Sequence, residues 1–218
     1  MSAYIIGFAV LVFALLAARW FTTRKGLGVT VAALVVCTVL GAMEARLALR
    51  EHAWSSAVSE MLGFDAAVHC QRMLAYAVDT SPVLGFVRYD VETGIPHHEA
   101  YLRRDTCDSL AEFDPAAPTV DQVQALHILT HETMHMSGEK NEAKAECMAV
   151  QRDYDMARAL GATPEQASEL VDLYWPDIHV TLPTQYQSPY CGPGAVWDEN
   201  LDTSPWNLSP QMQVTVAD

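Results

Sequence analysis

The first 45 residues contain 32 apolar side chains and only four charged ones, Arg19, Arg24, Lys25 and Glu44. A block so one-sided has no polar face to offer water. It divides into two runs, residues 3–21 and 27–45, each 19 residues long. A helix rising about 1.5 Å per residue needs roughly 20 residues to cross a bilayer core, so both runs are long enough to span. Between them lies the polar turn Thr22-Thr23-Arg24-Lys25-Gly26. The expectation is a transmembrane helical hairpin over residues 1–45, touching lipid through residues 3–21 and 27–45. A cleaved signal peptide is the competing account of the first run, but Met1 to Ala3 carry no cation where such a segment would place one. With the Arg19, Arg24 and Lys25 side taken as cytoplasmic, everything after residue 45 lies outside the cytoplasm. Arg46 and Arg50, at the outer end of the second run, oppose that orientation.

The charge is as unevenly distributed as the apolar residues. Three of the 13 cations and one of the 27 acids fall in the apolar block, so residues 1–45 carry +2 and residues 46–218 carry −16 within the net charge of −14. A domain this acidic is a poor match for phosphate backbones, which excludes nucleic acid as a partner. The same acidity keeps the domain off anionic headgroups and favours cationic peptides. Half the chain is apolar, enough to bury a core, and neither repeat nor low-complexity tract is visible.

Periodicity organises the second part. Residues 43–77 read as a helix continuing from the membrane with a break near Gly63, and Pro82 ends the region. Val83 to Val91 reads as a strand, Glu92 to Pro96 as a turn, and Glu99 to Arg103 as a second strand completing a small β-hairpin. Thr119 with Gln122 three residues later is an N-cap signature, opening a helix that runs through Met136 and stops at Gly138. Asn141 to Leu160 reads as one further helix ending at Gly161. Thr163-Pro164-Glu165 opens a third that ends near Tyr174, before Pro176. The proline-rich last forty residues read as an ordered loop or a loose tail.

The chemistry concentrates at His131-Glu132-Thr133-Met134-His135. Histidines at i and i+4 share one helix face, so their nitrogens can converge on one Zn²⁺ while Glu132 acts as general base for a bound water. Gly138 turns the chain back within a few residues, and Glu142 at the start of the next helix is the expected third ligand. Glu146, one turn later, is expected to accept a hydrogen bond from a ligating histidine; the reverse assignment, Glu146 as ligand with Glu142 in support, remains open.

His131 to His135 followed by Asn141-Glu142 and Glu146 resembles the gluzincins, the HExxH zinc metallopeptidases typified by thermolysin, whose second helix reads NExxxD. The resemblance covers about residues 127–150 and implies His131, His135 and Glu142 as zinc ligands, Glu132 as base and Glu146 in support. Glu replaces Asp at the last position, and the link between second histidine and third ligand is much shorter than in thermolysin. The metzincin pattern fits less well, because Asn141 stands where its third histidine belongs.

Other side chains are weaker candidates for the same site. His127 extends the histidine face and reads as packing or support; His97 and His98 read as solvated. His179, Tyr186 and Tyr190 are candidates for steadying an oxyanion. Cys37 lies in the second apolar run, leaving Cys70, Cys107, Cys147 and Cys191, an even number suited to two disulfides in an oxidising exterior. Their spacing does not match a thiolate zinc knuckle. Of three pairings, Cys70 with Cys107 and Cys147 with Cys191 is preferred, tying the long helix to the hairpin and the tail to the metal helix.

The expectation is therefore a mainly α chain with a small β-hairpin: two N-terminal transmembrane helices, then a compact zincin-like domain over residues 46–218. Its expected function is that of a multi-pass membrane zinc peptidase with an extracytoplasmic catalytic domain acting on peptides or proteins. The alternative is a non-catalytic membrane protein whose ectodomain uses the same residues as a structural metal site and binds a partner.

Overall fold

A computed structural model describes Val12 and residues 27–208. The expected first span and the polar turn, residues 3–26, lie outside the described residues except for Val12. The chain divides into two compact units, Met1–Leu49 and Arg50–Asp218. Helix α1 (Leu27–Leu62) contains, over Val31–Leu62, one helix long and apolar enough to cross a membrane, with a mean hydropathy of 1.8. Val31, Val35, Val36, Val39 and Leu40 are exposed on it, and so is the free thiol of Cys37. The helix stops where expected, at Gly63, whose φ of 74° is a backbone conformation that side chains disfavour.

The helix expected to continue to residue 77 is instead interrupted by a strand, β1 (Ala67–Cys70), with a single helical turn, α2 (Met73–Tyr76), after it. The reason is tertiary. Glu51, Ser55 and Ser59 form one stripe of α1, and their side chains accept hydrogen bonds from the backbone N–H groups of Cys70 (2.6 Å), Val68 (2.9 Å) and Ala66 (2.9 Å). Four residues of helix rise about 6.0 Å and two residues of strand about 6.6 Å, so the two periods run in step. One edge of β1 is thereby satisfied by a helix.

The other edge pairs with β3 (Pro96–Leu102), in parallel, Val68 opposite Ala100 and Cys70 opposite Leu102. β2 (Gly85–Tyr89) pairs antiparallel with β3 on its far side, Gly85 opposite Leu102. The sequence reading of a two-stranded hairpin is corrected to a three-stranded sheet of order β1-β3-β2, with β2 at an edge. Val68, Cys70, Ala100 and Leu102 are buried, and α3 (Arg104–Ala111) follows directly, joined to β1 through the Cys70–Cys107 disulfide.

Helix α4 (Val120–Met136) packs against the sheet and the helices after it, buried almost throughout from Gln122 onward. Its capping box is present: Thr119 Oγ1 accepts from Gln122 N at 3.3 Å, and Gln122 Oε1 accepts from Thr119 N at 3.2 Å. Gly138, with φ of 110°, turns the chain into α5 (Glu142–Val150).

The single helix expected over residues 141–160 is two, α5 and α6 (Asp153–Ala159). The break coincides with buried Gln151, whose amide donates to Trp197 O (3.0 Å) and accepts from Glu199 N (2.8 Å). It also turns Asp153 inward, to 1% exposure. Helix α7 (Pro164–Leu173) ends as expected, but the chain goes on through Pro176 as a widened π turn, Tyr174–Ile178, and a short 3-10 turn, His179–Thr181. The segment beyond is ordered through α8 (Pro205–Leu208), where Trp206 is buried against Trp175. The Cys147–Cys191 disulfide fastens this segment to α5. Both expected disulfides are present.

Candidate metal centre

Helix α4 carries His127, His131 and His135 at four-residue intervals, all buried. The Nε2 atoms of His131 and His135 lie 3.0 Å apart. Glu142, the first residue of α5, places Oε2 at 3.2 Å from His131 Nε2 and 3.4 Å from His135 Nε2. The turn between the helices brings it there: Asn141 caps α5 through its side chain, accepting from Lys144 N at 2.9 Å. The Glu139 side chain holds that turn, accepting from Asn141 N at 2.9 Å and pairing with Lys144 at 2.6 Å.

The rear nitrogens of the two histidines are fixed separately. His135 donates from Nδ1 to the Glu139 carbonyl at 2.7 Å, and Tyr89 of β2 donates its hydroxyl to that same oxygen at 3.0 Å. His131 donates from Nδ1 to Glu146 Oε2 at 3.2 Å. With both rear nitrogens acting as donors, a neutral imidazole at either position presents a lone pair at Nε2. Two lone pairs and a carboxylate oxygen then face one point, which is an arrangement that a cation satisfies.

Glu146 is the hub behind that point. Its Oε2 also accepts from His127 Nε2 (2.8 Å), and its Oε1 accepts from the Tyr174 hydroxyl (2.8 Å) and His179 Nδ1 (2.9 Å). His127 in turn donates from Nδ1 to Asp153 Oδ2 at 2.7 Å and stacks on Tyr174 with centroids 3.9 Å apart. Burial disfavours charge on His127, but Asp153 and Glu146 outweigh it and raise its pKa to about 10. Burial likewise opposes ionisation of Glu146, yet the His127, His131 and His179 partners hold its pKa well below the usual carboxylate range. His131 follows the same balance: burial lowers its pKa, and hydrogen bonds to Glu142 and Glu146 carry it up to about 9.

Among the described residues, two groups of three could hold a metal ion, and they share His131: His127 with His131 and Glu146, and His131 with His135 and Glu142. They differ in exposure: all three residues of the first are buried, whereas Glu142 of the second is exposed. Both line a cavity of about 650 Å³ walled by Gly85 and Val87 of edge strand β2 and by Leu182, Pro183 and Tyr186. Glu132 lines the same cavity, 5% exposed, with Oε2 buried and lacking a hydrogen-bond partner among the described residues. Burial pushes its pKa up to about 7, with the Glu142 charge adding to the rise against an opposing contribution from His131.

The remaining candidates separate by position. Tyr186 stands edge-on to the His131 ring, centroids 5.8 Å apart, on the cavity wall. His179 is behind the site on Glu146, and exposed Tyr190 packs on Trp197 away from the cavity, so neither is placed to meet an oxyanion there. His98 rests on Phe64 rather than being wholly solvated, with centroids 4.2 Å apart. Tyr89, Asp153 and Tyr174 come to the site from distant segments and carry no local signature in the sequence. Gly85, the isolated glycine of β2, carries one, since a glycine inside a strand marks a bulge or a close approach. No protein-family model, curated protein or solved structure matches the chain.

Proposed function

We propose that the chain is a membrane-anchored zinc peptidase in which His131, His135 and Glu142 hold the metal and Glu132 is the general base. The convergence of three donor atoms at 3.0, 3.2 and 3.4 Å, open to a cavity, carries this reading. Zinc bonded at about 2.0–2.1 Å in a tetrahedron separates its ligand atoms by about 3.3 Å, so the donor set fits the ion. The group built on His127 and Glu146 fits it less well, because the second carboxylate oxygen of Glu146 is taken by Tyr174 and His179 and all three of its residues are buried. Bound there, zinc supplies a Lewis acid for a carbonyl and lowers the pKa of water to about 7.

The chain's own residues supply the rest. Glu132, with a pKa near 7, takes a proton at neutral pH and returns it to a leaving amine. Glu146 fixes His131 with Nε2 forward, and the Glu139 carbonyl does the same for His135. The Tyr186 hydroxyl, on the cavity wall, is the group available to steady an oxyanion. Edge strand β2 offers unpaired backbone groups along the cavity for an extended peptide.

Two disulfides support an oxidising, extracytoplasmic setting for residues 50–218, and the apolar stretch Val31–Leu62 supports anchorage. The two-span topology and its orientation rest on the sequence of residues 1–45. The test is hydrolysis of a mixed peptide library by the zinc-loaded full chain in detergent, with Glu132→Gln as control. Cleavage abolished by that substitution, with zinc still bound, is the expected result. One firmly bound zinc without cleavage of any peptide would favour the structural-metal alternative.

A further inference from the structure

We infer that Gly85 is a positioning residue for Glu132, its absent side chain being the space in which the Glu132 carboxylate lies. A Cβ built on Gly85 would meet Glu132 Oε1 at 2.8 Å, Cγ at 2.9 Å and Cδ at 3.1 Å, and these are its three nearest neighbours. Gly85 has ordinary strand geometry, not the positive φ found at Gly63 or Gly138. Conformation therefore does not demand glycine in β2, where glycine weakens a strand; space does. The clash would fall on one flexible side chain and not on backbone, so an added methyl group displaces the end of Glu132 and leaves the strand in place. No hydrogen bond holds Oε2, which is buried and without a partner among the described residues. Packing against Gly85 thus sets where the carboxylate stands relative to the cavity.

The kinetic consequence rests on the proposed peptidase function, whereas the contact itself does not. A general base displaced by about 1 Å loses on the order of 100-fold in rate. In the zinc-loaded full chain, Gly85→Ala is expected to lower kcat by about that factor, with KM within about twofold and zinc content unchanged. Retention of the full kcat would overturn the inference. The contact is read independently by a melting-temperature cycle. Gly85→Ala should lower Tm by about 2–4 °C beside Glu132 and should fail to lower it in a Glu132→Ala background, where the strand gains from losing glycine. Equal shifts in both backgrounds would overturn the inference. If Gly85→Ala alone does not fold, recovery of the fold in the double variant supports it and failure to recover overturns it. If the unaltered protein cleaves no peptide, the peptidase reading falls and the melting cycle still decides Gly85.

Discussion

His131 Nε2 and His135 Nε2 face each other at 3.0 Å on adjacent turns of α4. Two ring nitrogens at that distance need a proton or a cation between them, and each ring has its other nitrogen engaged by an acceptor, Glu146 for His131 and the Glu139 carbonyl for His135. The pair is therefore held in an orientation that would suit a metal ion, and Glu142 of the next helix lies 3.2 Å from His131 Nε2.

Ligand substitution separates the two possible metal groups. His135→Ala and Glu142→Ala should abolish stoichiometric zinc, whereas His127→Ala should retain the site with affinity lower by about 10- to 100-fold, as expected for a residue that acts through Glu146. Metal analysis of the purified variants checks this. Zinc lost on changing His127 and kept on changing His135 would move the ion to the buried group.

Metal affinity should fall on acidification. Glu142 and Glu146, outweighing burial, keep a proton on His131 up to about pH 9, and a metal must displace it. Each displaced proton costs about tenfold in apparent affinity per pH unit below that value. Zinc titrations at pH 6, 7 and 8 should show the decline, and an unchanged affinity across that range would contradict it.

Glu132 should cost the metal-free protein stability. Its folded pKa of about 7 lies above the ordinary 4.5, so between these values the folded state binds more protons than the unfolded one. Stability then falls as pH rises from about 4.5 through about 7, by up to roughly 3 kcal/mol. Glu132→Gln removes that dependence and should raise stability at pH 8 by roughly 1–3 kcal/mol, read by denaturant unfolding of the metal-free protein. A destabilised variant with the pH dependence intact would count against the burial argument.

The Cys147–Cys191 bridge closes a separation of 44 residues, for which chain entropy gives about 4 kcal/mol. Replacing both cysteines with alanine should lower Tm by roughly 10 °C. Because Tyr186 and Leu182 lie in the segment it fastens, peptide turnover should fall as well. Unchanged melting would show the segment to be held by the Gln151 and Trp206 contacts alone.

Local chemistry was legible wherever a feature needs only neighbours in the chain. The capping box at Thr119, the helix start at Thr163-Pro164, the stops at Gly63 and Gly138, and the apolar helix from residue 31 follow from side chains within a turn of each other. The histidine spacing of α4 belongs to the same class, since i and i+4 share a face on any helix.

What the tertiary structure decided is what long-range packing pays for. Residues 67–70 carry helical periodicity, yet they form a strand because β3 and the Glu51, Ser55 and Ser59 stripe together satisfy both edges of their backbone. The sequence favours Glu142 as third ligand but leaves the reverse assignment to Glu146 open, because carboxylates one turn apart share a face. Tyr174 and His179, from segments that meet only in the fold, hydrogen-bond Glu146, and Asp153 holds His127 against it, so Glu146 is buried while Glu142 is exposed. Donor identity and spacing are properties of the chain; which donor keeps an open side depends on what else is buried beside it, and only folding brings those groups together.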